Sequence, residues 1–263
     1  MINIISILPD FMAIYGENSY ISPEINYRFI EEFNMTFYWI TNFASKIAIE
    51  KHITTILILS IYFLSLILIF LEIQKMLFSI ISLFIHVMLV NTSYLFSYGA
   101  DYFITFSLFI CILMSNSDKC IQSFSIRFLQ IQLCIVYFFA GFGKALGTDW
   151  IDGNAMWYVF NIFIMKKPTH LSPIFKYLFT FISLFTIFIE IFYPLLVSIK
   201  KTRKIIIISI LFLHLGIALF MGLYTFGFVM IILNIIAWEG YFDTEITKLK
   251  KYATNIRFTQ HQL

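Results

Sequence analysis

Apolar runs long enough to cross a membrane recur along the sequence, and they restrict its fold more than any other feature. A bilayer core is about 30 Å thick and a helix rises about 1.5 Å per residue, so a spanning helix needs about 20 apolar residues. We therefore predict an all-α fold, a polytopic integral membrane helical bundle of about seven transmembrane helices. The runs are residues 53–71, 77–96, 102–114, 127–143 and 175–197, with two more inside 204–238.

Three of these runs are irregular. Residues 102–114 are too short to cross unless residues 95–100 contribute or the ends tilt. Pro194 predicts a break near the end of the fifth run. The run 204–238 is too long for one helix, and its glycines at 222 and 227 predict a turn within 221–227.

The composition excludes most soluble classes of protein. Hydrophobic residues make up 60% of the chain and charged residues 13%. In soluble proteins, roughly 45–50% of the residues are hydrophobic and about 25% are charged. A net charge of +3 argues against a nucleic-acid partner, so the expected partner is the lipid bilayer. The spacing of Cys111, Cys120 and Cys134 predicts packing residues and no metal site.

The distribution of lysine and arginine predicts the orientation, since cytoplasmic loops retain positive charge. If the cluster at residues 200–204 is cytoplasmic, alternation places 11 of the 18 cations inside and Lys144 on the extracytoplasmic side. We expect a multi-pass protein of the cell membrane, a bacterial inner membrane. Residues 1–52 then form an extracytoplasmic N-terminal segment, 53–238 the bundle and 239–263 a cytoplasmic basic tail. Either residues 1–15 form a short entering helix or an upstream span is missing.

Four ionisable residues lie within or at the end of the predicted spans, namely Lys144, Glu190, His214 and His86. A charge at mid-membrane costs about 2.5–3.5 kcal/mol on insertion scales, so each residue is a candidate for function. Each also has a structural interpretation. Lys144 could extend to the headgroups, Glu190 could pair with His214 or Tyr193, and the histidines could be packing residues. Trp150, Trp157 and Tyr158 are also typical of an interfacial aromatic belt.

Lys144 belongs to a polar stripe on the fourth span. Gln130, Tyr137 and Lys144 are spaced seven apart, which places them on one side of a helix. We expect this side to face the bundle interior. Gly141 and Gly143 would let a neighbouring backbone or a flat ligand approach it closely.

Residues 136–153 carry a family resemblance. They contain Tyr-Phe-x-Ala-Gly-x-x-Lys at 137–144 and Asp-Trp-x-x-Gly at 149–153. This combination resembles the signature of the horizontally transferred transmembrane (HTTM) family, which is related to the vitamin K-dependent gamma-carboxylases. Residues 91–96, Glu190 with Tyr193-Pro194, and His214 with Met221-Gly222 are also similar to that family, so the resemblance covers roughly residues 17–238.

The resemblance implies a lysine base. In the carboxylases, the lysine matched by Lys144 deprotonates vitamin K hydroquinone, so a quinone or hydroquinone is the implied cofactor. The implied catalytic residues are Lys144, Tyr137 and His214. The implied substrate-binding residues are Gln130, Gly141, Asp149, Trp150, Gly153 and Glu190.

The sequence departs from the carboxylases in three ways, one of which is an extra residue between Lys144, which follows Gly143, and Asp149-Trp150. Thr92 stands where they have a histidine that supports the base, and the sequence ends at residue 263 without their large lumenal domain. A glutamate carboxylase is therefore not expected. The short form is similar to the bacterial branch that includes the maturation protein of a sporulation-delaying toxin, a membrane factor for a secreted hydrophobic peptide.

Three functions remain open at this stage. The first is a lysine-base enzyme or maturation factor acting on a quinone-like lipid or a hydrophobic peptide at the outer leaflet. The second is a non-catalytic scaffold or immunity-type protein that binds another membrane protein. The third is a small-solute transporter, which the lack of an inverted repeat disfavours.

Overall fold

The computed structural model describes residues 11–15, 36–93, 95–161 and 173–240, and their regular structure is entirely helical. The helices are α1 Phe11–Tyr15, α2 Phe37–Lys46, α3 Lys51–Phe70, α4 Lys75–Thr92, α5 Gly99–Met114, α6 Lys119–Ala145, α7 Thr148–Ile151, α8 Asn154–Phe160, α9 Pro173–Ser198, α10 Lys200–Met221 and α11 Tyr224–Gly240. The prediction of an all-α fold is confirmed.

Five of these helices are long and apolar enough to cross a membrane: α3, α4, α6, α9 and α10. They carry large exposed apolar side chains, such as Phe139, Ile205 and Phe212, which a lipid environment accommodates and water does not. These features support a multi-pass membrane protein. The other two predicted spans correspond to the shorter apolar helices α5 and α11, so the count of seven stays a prediction.

The turn predicted within 221–227 is present. Helix α10 ends at Met221 and α11 begins at Tyr224. Between them Gly222 has a φ of 66°, a left-handed conformation that glycine adopts without steric cost. The glycine signal therefore located this turn correctly.

The break predicted at Pro194 is wrong, because α9 continues through it to Ser198. Proline lacks an N–H, so the helix loses the hydrogen bond to the carbonyl of Glu190 four residues earlier. Beyond that point, side chains bond two later carbonyls: Ser198 donates to the carbonyl of Pro194 at 2.6 Å, and Arg203 Nε donates to the carbonyl of Val197 at 2.7 Å. Neither bond replaces the one lost at Glu190. The helix continues despite that loss, and proline is tolerated in spanning helices.

The chain forms two compact units, Met1–Ser125 with Ile217–Val229, and Ile126–Gly216 with the residues from Met230 onward. The predicted segments 1–52 and 239–263 lie largely outside the described residues, and their boundaries stay predictions.

In the first unit, α3, α4 and α5 pack in chain order and α2 packs against α3 and α4. The core contains Tyr15, Phe37, Ile58, Tyr62, Ile85 and Leu89. Burial raises the pKa of the Tyr15 phenol to about 12, so the phenol stays neutral at ordinary pH. Its oxygen lies 2.8 Å from Ser93 Oγ and 3.2 Å from the carbonyl of Leu89.

Thr92 attaches α2 to α4. Its Oγ1 accepts a hydrogen bond from the backbone N–H of Phe37 at 2.7 Å and donates to the carbonyl of Met88 at 2.7 Å. The first N–H groups of a helix have no partner inside the helix. Thr92 satisfies the first N–H of α2 from a distant part of the chain, so this residue has a structural role.

In the second unit, the short helices α7 and α8 pack on α9. Gly153 forms the closest contact. Its φ is 80°, and a Cβ built on it would lie 2.5 Å from the backbone nitrogen of Thr180. Thr180 Oγ1 also donates to the carbonyl of Asp152 at 3.0 Å. Gly153 is thus required for the packing of the α7–α8 segment against α9.

Candidate functional site

The polar stripe of α6 faces inward, as the sequence predicts. Tyr137 and Gly141 are buried and Gln130, Cys134 and Lys144 are half-buried. Side chains on the other sides of the helix are exposed, including Ile131, Phe138 and Phe139. The helical spacing of the polar residues was therefore sufficient to orient this helix.

Lys144 ends the stripe in an ion pair. Its Nζ donates to Glu190 Oε2 at 2.5 Å. The Lys144 side chain is 23% exposed and that of Glu190 only 4%, so the pair is open on the lysine side alone. Lys144 Nζ also lies 5.2 Å from the centre of the Trp150 ring, within range of a cation–π interaction.

These contacts decide between the structural interpretations of Lys144 and Glu190. Lys144 is held by Glu190 and Trp150 and does not extend freely toward headgroups. Glu190 pairs with Lys144 rather than with His214 or Tyr193. The pair joins the end of α6 to the middle of α9.

Gly141 makes this pairing possible. A Cβ on Gly141 would lie 2.7 Å from the backbone nitrogen of Ile191 and 2.8 Å from Glu190 Cβ. Real Cβ atoms essentially never come so close, so only glycine permits this approach of α6 to α9. Gly143 behaves differently, because a Cβ there would meet no atom within 4 Å. The expectation that a neighbouring backbone approaches closely holds for Gly141. For Gly143 that part of the expectation is wrong.

Tyr137 and His214 belong to a second, fully buried cluster in the same unit. Tyr137 Oη lies 2.8 Å from His214 Nε2 and accepts a hydrogen bond from Asn234 Nδ2 at 2.6 Å. Asn234 Oδ1 accepts from Tyr193 at 2.9 Å, and Tyr193 Oη accepts from Trp238 Nε1 at 3.0 Å. The cluster joins α6, α9, α10 and α11.

The two clusters adjoin one another along two helices. Tyr137 lies seven residues before Lys144 on the same side of α6, about 10 Å along the helix axis. Tyr193 lies three residues after Glu190 on α9, and its ring centre is 4.4 Å from that of Tyr137. The structure therefore places Lys144, Glu190 and Trp150 next to the cluster of Tyr137 and His214, and the functional roles of these residues stay predictions.

Three predicted site residues have other surroundings. Gln130 lies 14 residues before Lys144, about 21 Å away along the helix axis, and donates to the carbonyl of Ala237 at 2.7 Å. Asp149 is exposed and pairs with none of the described residues. Gly153 packs on Thr180. The structure does not bring Gln130 to Lys144.

Sequence analysis missed Asn234 and Trp238 as members of the buried cluster. Asn234 interrupts the apolar run Ile231-Ile232-Leu233-Asn234-Ile235, and an amide in a spanning helix is a polar signal of the same kind as Glu190. The search for polar residues inside the spans was limited to ionisable side chains, and Asn234 does not belong to the stripe of α6 that led to Gln130. Trp238 follows one turn later on the same face.

His86 lies in the first unit and has a different set of partners. Its Nδ1 lies 2.9 Å from Tyr62 Oη and its Nε2 lies 3.1 Å from the backbone carbonyl of Asp101. All three residues are buried. The interpretation of His86 as a hydrogen-bonded packing residue agrees with these contacts.

Protein-family models, curated proteins and solved structures were compared with the chain, and none of them matches it. Across the described ranges, no three His, Cys, Asp or Glu side chains are grouped as a metal site would require.

Proposed function

We propose that this chain is an HTTM-type membrane protein in which Lys144 serves as a base or an anchor for an apolar molecule with an acidic or carbonyl group. The molecule would be a quinone-like lipid or a hydrophobic secreted peptide, bound at the outer leaflet of the cell membrane. The observation that carries the proposal is the ion pair between the partly exposed side chain of Lys144 and the buried side chain of Glu190.

The asymmetry of the pair supports a binding role. The Glu190 side chain is enclosed, while part of the Lys144 side chain remains exposed. Because a buried charge is stable only with a partner, Glu190 would hold the amine in one position, and a ligand would approach along the exposed part of Lys144.

The neighbouring residues fit a flat, oxygen-bearing ligand. Lys144 could donate to a quinone oxygen, the Trp150 ring offers an aromatic surface, and Gly143, the residue before Lys144, has open space beside it. A bound hydroquinone would supply an acidic O–H group. As a cation, Lys144 would anchor an oxygen of the ligand. To act as a base it would first have to lose its proton, and its hydrogen-bonded partner Glu190 could take that proton.

The experiment must separate loss of the lysine from loss of the pair. Lys144→Met alone leaves the Glu190 carboxylate buried without a cation, and the fold could suffer for that reason. The exchanged variant Lys144→Glu/Glu190→Lys keeps both charges but moves the amine to α9. Lys176→Met is the matched control, since Lys176 is an exposed lysine of α9 in the same unit.

Each protein would be purified from its producing cells and its lipid extract analysed by mass spectrometry. The proposal predicts that a quinone or a hydrophobic peptide co-purifies with wild type and Lys176→Met, and is lost from the exchanged variant. Identification of the molecule distinguishes the two ligand classes. Equal recovery from the exchanged variant, or no such molecule in wild type, would contradict the proposal and favour a scaffold.

A further inference from the structure

The buried cluster of the second unit contains atoms whose hydrogen-bonding roles are fixed. Asn234 Nδ2 lies 2.8 Å from the carbonyl oxygen of Met230 and 2.6 Å from Tyr137 Oη. A carbonyl oxygen only accepts, so the side-chain atom of Asn234 that faces it must be the amide nitrogen. The orientation of the amide therefore follows from its surroundings.

This orientation determines the direction of the next hydrogen bond. Tyr137 Oη accepts a proton from Asn234, so the phenol's own proton is directed to His214 Nε2 at 2.8 Å. If His214 Nε2 carried a proton instead, the phenol would receive two donors, and its own proton would have no acceptor among the described residues. His214 Nε2 is thus an acceptor, and a neutral ring carries its proton on Nδ1.

The first unit requires the opposite arrangement. His86 Nε2 faces the backbone carbonyl of Asp101, so Nε2 must carry the proton. If the ring is neutral, its Nδ1 accepts from Tyr62. Among the described residues there are thus two buried tyrosine–histidine pairs, whose hydrogen-bond partners imply opposite tautomers, and each serves as a reference for the other.

We propose that Asn234 is a positioning residue that holds His214 as the neutral Nδ1–H tautomer and makes Tyr137 the proton donor of the pair. The role rests on the proposed function of Lys144. Because Tyr137 and Lys144 lie two turns apart on the same side of α6, a cationic His214 bonded to Tyr137 would place a second positive charge on the side of that helix where Lys144 meets Glu190. A neutral His214 leaves Lys144 as the only cation for that carboxylate among the residues of the two clusters.

The test is solid-state NMR of the full chain in lipid bilayers with ¹⁵N-labelled histidine, which separates protonated from unprotonated ring nitrogens. The chain has five histidines, so His214→Gln and His86→Gln variants assign the two buried rings. We expect protonated Nδ1 and unprotonated Nε2 at His214, and protonated Nε2 at His86. A protonated Nε2 at His214 in the wild-type protein would overturn the proposal.

Two variants test the role of Asn234 itself. Asn234→Leu removes the donor to Tyr137, and we expect a population of His214 with protonated Nε2 to appear. Tyr193→Phe removes the donor to Asn234 Oδ1 but leaves the Asn234–Tyr137 bond in place, so the tautomer should not change. An unchanged tautomer in Asn234→Leu would refute the positioning role; if that variant does not accumulate, the wild-type and Tyr193→Phe spectra decide.

This measurement is independent of the proposed activity. If the exchange of Lys144 and Glu190 leaves ligand recovery unaffected, the proposed function is wrong. The NMR spectrum of His214 tests the tautomer separately from that result.

Discussion

The Nζ of Lys144 lies 2.5 Å from Oε2 of Glu190, and Glu190 is the more deeply buried of the two. Removing one partner of a buried ion pair leaves an uncompensated charge, which costs about 3–5 kcal/mol. We expect Lys144→Met to lower the free energy of unfolding by an amount toward the lower end of that range, since the amine is partly exposed.

The double variant Lys144→Met/Glu190→Gln should recover most of this loss, because neither charge remains. The measurement is a double-mutant cycle on purified protein in detergent, followed by tryptophan fluorescence during unfolding. Losses that simply add in the double variant would show that the two side chains are not coupled.

Gly141 and Gly143 form a matched pair of glycines on one helix. Gly141→Ala would place a methyl group 2.7 Å from the backbone of Ile191, and overpacking of this kind typically costs about 1–3 kcal/mol. Gly143→Ala meets open space and should be neutral or stabilise α6 by up to about 1 kcal/mol, since alanine loses less backbone entropy in a helix. Thermal unfolding of both variants checks this. Equal effects would contradict the close α6–α9 contact.

The orientation of α6 could be predicted from the sequence, whereas the contacts between α6 and α9 could not. The inward stripe of α6 followed from the spacing of Gln130, Tyr137 and Lys144, because helical periodicity is a local property. The partner of Glu190 could not be predicted, since it depends on how α6 packs on α9. The prediction for Pro194 was wrong because a local rule for proline does not include the surroundings in which a spanning helix can continue through it.

Thr92 supports a third prediction. Its Oγ1 accepts from the first N–H of α2, so Thr92→Val should weaken the attachment of that helix by about 0.5–2 kcal/mol, the usual cost of losing a helix cap. Thr92→Ser keeps the hydroxyl and should retain most of the stability. Limited proteolysis near residue 36 reports on the attachment. If the valine and serine variants are cleaved equally fast, the hydroxyl does not hold α2.

Tyr62 and Tyr102 allow the same kind of comparison inside the first unit. Tyr62 is buried and hydrogen-bonded to His86 Nδ1 at 2.9 Å, whereas Tyr102 is exposed on α5. Tyr62→Phe leaves a buried ring nitrogen without its partner, which costs about 1–3 kcal/mol, while Tyr102→Phe should have almost no effect. The measurement is the thermal unfolding of the Tyr62→Phe and Tyr102→Phe variants.

The proton arrangement of His86 sharpens this last prediction. Its Nε2 is committed to the carbonyl of Asp101, so a neutral ring cannot turn Nδ1 into a donor after Tyr62 loses its hydroxyl. His86 Nδ1 must then stay buried without a hydrogen-bond partner, or a water molecule must enter the site and bond to it. A Tyr62→Phe variant as stable as Tyr102→Phe would mean that the site hydrates readily, and the buried hydrogen bond would not be what stabilises the packing of α3 on α4.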